Sequence, residues 1–96
     1  MSTLDEALHE LVRDRANKVI ENYYFEPNDS VTRDSIHLSL DTMLKEMDEL
    51  EDFMVIVDAN NNTPARIDRN ELWVDLAVQP KGNTQFYAIA IRIMPS

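Results

Sequence analysis

The chain has 96 residues, enough for one small domain, and a domain of that size buries only roughly 60 per cent of the surface its unfolded form exposes. Its formal charge of -9 lies on the first half, where residues 1–52 hold 14 acidic and 5 basic side chains against 4 of each in residues 53–96. A phosphate backbone is held by clustered Lys and Arg, so nucleic acid is not expected as a partner, and with no cysteine the chain can form neither disulfides nor thiolate metal sites.

The opening residues "MSTLDEALHE" carry acidic side chains and no uninterrupted apolar run, unlike a signal peptide or a membrane span. A soluble protein of a reducing cytoplasm is expected. Thr3 followed by Glu6 has the spacing of a capping box. Behind it Leu4, Leu8, Leu11, Val12, Ala16, Val19, Ile20 and Tyr23 recur at helical spacing and predict a helix from about Leu4 to Tyr23. Pro27 disfavours helical geometry at Glu26, and the turn formers around it end that helix. Asp29 or Thr32 can cap a second one, whose apolar stripe is Ile36, Leu40, Met43, Leu44, Met47 and Leu50. The methionines need no ligand to explain them, since Met at this spacing is adaptable core packing.

At Phe53 the pattern changes. "FMVIVD" is a short continuous apolar run that predicts a central strand. From Glu71 the period is two, with Leu72, Val74, Leu76 and Val78 on the face expected to be buried. Pro80 to Asn83 make a turn, and "TQFYAIAIRIM" supplies a last strand that is apolar on both faces. Two helices on one face of a small, mainly antiparallel sheet give a two-layer α+β sandwich over residues 1–96. Such a sheet has two edges. The final strand, with Phe86, Tyr87, Ile89, Ile91 and Ile93, is a template for a strand from another chain, and these residues are the expected subunit interface. On this reading lysines at positions 89 and 91 would block assembly and spare the helices.

Between the two apolar segments lies "DANNNTPARIDRNEL". Asp58, Asn60 and Asn62 match the first three ligand positions of a calcium loop, but the position that needs Gly is Thr63 and the one that needs a bidentate Glu is Arg69, which excludes an EF-hand. The residues read instead as a loop brace: Asn61, Asn62, Thr63, Pro64, Ile67, Asp68, Arg69, Asn70 and Glu71. Asn and Asp bond nearby backbone, Pro64 fixes its own φ, Ile67 anchors the loop, and the charged residues pair. "NNT" formally fits a glycosylation acceptor, without the secretory segment that would give it meaning. His9 and His37 lie on helices with no nucleophile beside them, and "DELED" reads as a solvated charge run. The one glycine, Gly82, cannot make a phosphate loop. No enzyme, no cofactor and no metal are expected.

The words "YYFEPND", "TRDS" and "VDANNNTPARIDRNELWVDLAVQPKGNTQFYAIAI", in this order and spacing, resemble the C-terminal domain of contractile tail sheath proteins of tailed phages. The matching segments are Phe25 to Asp29, Thr32 and Arg33, Asn61 to Pro64, Ile67 to Glu71, and Gln79 with Pro80. The resemblance implies a handshake domain, in which extended arms of neighbouring subunits add strands to one another's sheets. It also implies a virion structural protein of the contractile tail or baseplate, assembled in the host cytoplasm. The implied partners are the tail sheath, baseplate and tail tube proteins, with self-association in six-fold rings and no contact with nucleic acid or membrane. Sheath proteins carry a long segment ahead of this domain, whereas this chain opens at Met1 just before the first helix. A sheath initiator of the baseplate is therefore the expected role. A separately encoded or truncated piece of a sheath protein is the first alternative, and a small acidic adaptor or inhibitor is the alternative from another class.

Overall fold

The computed structural model describes residues 3–94, with side chains from Glu6 onward. The order of elements is α1 (Thr3–Glu21), α2 (Ser30–Lys45), β1 (Leu50–Ile56), α3 (Pro64–Asp68), β2 (Leu72–Pro80) and β3 (Tyr87–Ile93). The three strands form one antiparallel sheet in the order β1-β2-β3. With α1 packed against β3 and α2 against β1, the fold is a two-layer α+β sandwich.

The first helix follows its apolar period: Val12, Ala16 and Ile20 are fully buried, with Leu8, Leu11, Val19 and Tyr23 packed against them. The Thr3 side chain of the expected capping box lies outside the described residues. Tight turns at Tyr23 and Glu26 close the helix ahead of Pro27, and the Tyr23 hydroxyl meets Ser39 Oγ at 2.9 Å, pinning the end of α1 to α2. Asp29 is the N-cap of α2. Its backbone is extended and its Oδ1 accepts the Thr32 N–H at 2.8 Å, which satisfies one of the helix's orphan donors and places a negative charge at the positive end of the dipole.

Two expectations need correction here. The α2 stripe does not run to Leu50: the helix ends at Lys45, turns carry the chain through Met47, and Leu50 opens β1. Asp48, Glu49, Glu51 and Asp52 would otherwise crowd negative charge at the negative end of the dipole, while both Met47 and Leu50 still reach the core. Nor is β1 central. It is an edge strand, with Met54 54% and Ile56 36% exposed on the helix-free face. Its continuous apolar run reflects two apolar faces, whereas centrality requires two paired edges, and β2 has those.

The core face is built from alternate residues. Leu72, Val74, Leu76 and Val78 of β2 and Ile89 and Ile91 of β3 are buried together with Ile36, Leu40 and Leu44 of α2. On the opposite face Met54, Ala77 and Ala88 share one row across the three strands, and Ile56, Asp75 and Ala90 the next. Gly82 has φ +80 in the turn between β2 and β3, a conformation that suits a residue without Cβ.

One element was not anticipated. The loop expected between β1 and β2 contains the helical turn α3, with Thr63 as N-cap and Pro64 in the first turn. It closes with Asn70 at φ 61, while Asn70 N–H donates to Ile67 O and Glu71 N–H to Arg66 O, the paired bonds of a Schellman ending. Thr-Pro at the start and Asn at the left-handed stop were legible signals for a helix this short.

Candidate functional site

Backbone parity defines the free edge. Trp73 N–H donates to Asn62 Oδ1 at 2.8 Å, and Trp73 O accepts Asn62 Nδ2 at 2.9 Å, so the main chain of Trp73 faces the β1 side of the sheet. Polar groups alternate along a strand, so those of Val74 and Leu76 face β3, where their partners are Ile91 and Ile89. The main chains of Ala88, Ala90 and Arg92 therefore point outward, away from β2. Ala88, Ala90 and Arg92 are exposed, and within the sheet β3 has no neighbour on that side.

The two edges differ. The β1 edge carries exposed Glu51 and Asp52 and a register shift between Leu50 and Asp52, devices that discourage pairing. The β3 edge runs in unbroken register from Tyr87 to Ile93.

Of the side chains expected at the interface, Ile89 and Ile91 are 1% and 5% exposed. They point into the chain's own core. Tyr87 and Ile93 are half-buried against that core, with the Tyr87 hydroxyl accepting from Asn83 Nδ2 at 2.9 Å. Phe86 is exposed just ahead of the strand. Ile93 also lines a shallow apolar groove with Tyr24, Phe25 and Met94 at the end of the edge. What β3 offers to another chain is therefore main chain, not its isoleucine side chains.

The brace is one connected polar network. Asn62, 1% exposed, presents its amide to both main-chain groups of Trp73 as a strand residue would, so one side chain prolongs the β1–β2 ladder. The same amide donates to Asp58 O at 3.1 Å, and Asn28 Nδ2 donates to its Oδ1 at 3.0 Å and to Glu71 O at 2.8 Å. Arg33 holds Asn28 from α2 at 2.7 Å. Asn61 donates to Ile56 O, Trp73 O and Asp75 Oδ2 at 2.8 to 3.1 Å and accepts the Asp58 N–H. Thr63 Oγ1 caps α3 through the Arg66 N–H, Ile67 is half-buried, and Asp68 is exposed. The "FEPND", "NNTP" and "IDRNE" words thus meet in one cluster.

Trp73 carries that network onto the helix-free face. Its ring lies 3.5 Å from the Arg66 guanidinium and 3.7 Å from that of Arg92, contacts worth about 0.5–2 kcal/mol each, and its Nε1–H donates to Glu71 Oε1 at 3.0 Å. Glu71 pairs with Arg69 at 2.9 Å, and Arg92 with Asp75 at 2.8 Å. Asn28, Arg33, Trp73, Asp75 and Arg92 were not legible as a site because the contacts that join them to the brace, Asn28 to Asn62 and Glu71, Trp73 to Asn62, and Asp75 to Asn61 and Arg92, span 11 to 43 positions. A lone Trp flanked by acidic residues on a period-two strand was the available hint. Brace and edge meet at Arg92.

These contacts shift the carboxylates. Burial pushes Asp75 up, but hydrogen bonds from Asn61 and Arg92 and the nearby guanidinium charges outweigh it, and its pKa falls below the usual 3.8. Arg69, then the Trp73 indole, hold Glu71 below 4.5, and the Thr32 amide lowers Asp29. A carboxyl with a lowered pKa in the folded chain binds fewer protons there than when unfolded. Its contribution is therefore complete above the unfolded value, near 4, and is lost as pH falls through the lowered one. The gap in melting temperature between wild type and Asp75→Asn is expected to close as pH drops below about 4. A constant gap across the acid range would remove Asp75 from the acid response.

Among the described residues no group of three or more His, Cys, Asp and Glu could hold a metal ion, and no helix is long and apolar enough to cross a membrane.

No protein-family model, curated protein or solved structure matches the chain.

Proposed function

We propose that this chain is a structural joining domain, of the handshake type found in contractile phage tail sheaths, that binds its neighbours by accepting a strand on the β3 edge. The observation that carries this reading is the outward main chain of Ala88, Ala90 and Arg92, on a regular edge with neither bulge nor acidic guard. Main-chain bonds along such an edge give affinity, and side-chain pockets beside it set register. The groove of Tyr24, Phe25, Ile93 and Met94 is one such pocket. The resemblance of the "FEPND", "NNTP" and "IDRNE" segments to the sheath domain supports the same reading, as does their convergence on one brace that holds β2 and Arg92 in place. Chemistry on a substrate forms no part of it.

The role carried over is that of a sheath initiator, with partners in the sheath, baseplate and tube and a six-fold arrangement. Imaging of the contractile particle tests it. Expected is this fold in the first ring at the baseplate with a foreign strand along Ala88 to Arg92, while the same fold throughout the sheath would make the chain a sheath piece. A reconstruction with the β3 edge bare overturns strand addition.

A single substitution isolates the edge. Ala90→Pro removes an outward N–H that makes no bond to β2, and proline is tolerated on edge strands in that position. The variant is expected to fold, with a melting temperature within about 5 °C of wild type, and to fail to enter particles. Incorporation at the wild-type level would count against this edge.

A further inference from the structure

The β3 edge is not simply bare. Two side chains of α1 reach around to it: His9 Nε2 lies 3.5 Å from Ala88 O, and Arg13 Nη1 donates to Ala90 O at 3.4 Å. Donation by His9 to a carbonyl places its proton on Nε2. The spacing is that of a matched ladder. His9 and Arg13 are one helical turn apart, about 6 Å along α1, and Ala88 and Ala90 are alternate strand residues, about 6.8 Å apart along β3. Two successive outward carbonyls of the edge, Ala88 O and Ala90 O, are thus each met by a donor from the helix beside it.

We infer that His9 and Arg13 form a removable guard on the β3 edge, filling the acceptors that an incoming strand must take and so holding the isolated chain back from pairing until a correctly registered strand displaces them. This rests on the strand-addition reading above and adds its regulation. The long donor–acceptor distances and exposed setting make each contact weak in water, which suits a guard that must yield. Both donors sit on flexible side chains of an otherwise well-packed helix, so displacement needs only rotamer changes and leaves the core untouched. Arg13 also sets a positive charge beside the edge, a common device against unintended pairing. An added strand replaces the two side-chain donors with its own N–H groups and gains the outward N–H groups of β3 as well. The exchange therefore favours a regular strand over a disordered segment.

The test compares the full chain with the double variant His9→Ala and Arg13→Ala in sedimentation over a concentration series. Self-association is expected at about tenfold lower concentration in the double variant, about 1.4 kcal/mol, and adding Ala90→Pro should abolish the gain. Removing Arg13 makes the chain more acidic, which opposes association, so a gain cannot come from net charge. Arg13→Lys with His9→Gln keeps a donor at each place and should restore wild-type behaviour. Melting curves establish that each variant is folded. Association no tighter than wild type overturns the guard, as does a gain that survives Ala90→Pro. If the guard fails while Ala90→Pro still bars entry into particles, strand addition stands without it. If neither effect is seen, both fall.

Discussion

Replacing Ile89 and Ile91 together with Lys is expected to unfold the domain, with loss of the helical circular dichroism signal and of any cooperative melt. The two side chains are 1% and 5% exposed and lie within the cluster shared by α1, α2 and all three strands. Each loses about 2–3 kcal/mol of apolar burial, and an unpaired ammonium in that space adds a further penalty of several kcal/mol. Against the total stability of a small domain, about 5–15 kcal/mol, two such changes exceed the margin. The structure thus reverses the expectation that these lysines would spare the helices. Failure of the double variant to assemble would report unfolding and say nothing of the edge, which is why Ala90→Pro is the useful probe. Retention of helical signal and a cooperative melt would show that β3 can detach without disturbing the rest.

Asn62→Ala is expected to destabilise the fold by about 3 kcal/mol and to lower the melting temperature by on the order of 15 °C for a domain of this size. The side chain is 1% exposed, and its amide serves Trp73 N–H, Trp73 O, Asp58 O and Asn28 together. Alanine leaves the Trp73 N–H without its partner in a nearly dry site, leaves Trp73 O to Asn61 alone, and removes one of the bonds by which Asn28 ties the linker between α1 and α2 to the sheet. Asn62→Asp tests the same point with little change of volume: it retains the acceptor, loses the donor to Trp73 O, and sets a carboxylate against carbonyls. Its loss should match or exceed that of alanine. Urea denaturation followed by tryptophan fluorescence reads both variants. A shift in midpoint stability below about 1 kcal/mol would mean that water or a loop rearrangement substitutes for the amide.

The brace has a consequence for the edge. Arg92 contributes its guanidinium to Asp75 and to the Trp73 face and its main chain to the outward side of β3. The polar cluster at one end of the sheet therefore stiffens the strand on which a neighbour is proposed to dock. Rigid edges lose less conformational freedom on pairing. The "NNTP" and "IDRNE" words thus reach the strand edge through Trp73 and Arg92.

Local order in the amino-acid sequence was sufficient for α1, for the body of α2 with a cap at Asp29 or Thr32, for the period-two strand from Leu72 and for the turn at Gly82, because each depends on residues within a few positions of one another. The same locality made the α3 signals readable in Thr63, Pro64 and Asn70, where a loop was expected. It could not tell a strand with two apolar faces from one with two paired edges, so β1, expected at the centre, lies at an edge and β2 takes the central place. Nor could it show that Asn62 stands in for a strand residue, since the Trp73 main chain that it pairs lies 11 positions away. The approach of His9 to Ala88 O spans 79 positions. Which strand is central, which isoleucines are spent on the core and what reaches the open edge all follow from register and from the layering of helix on sheet. Those are set by the sum of long-range contacts rather than by any short window of the chain.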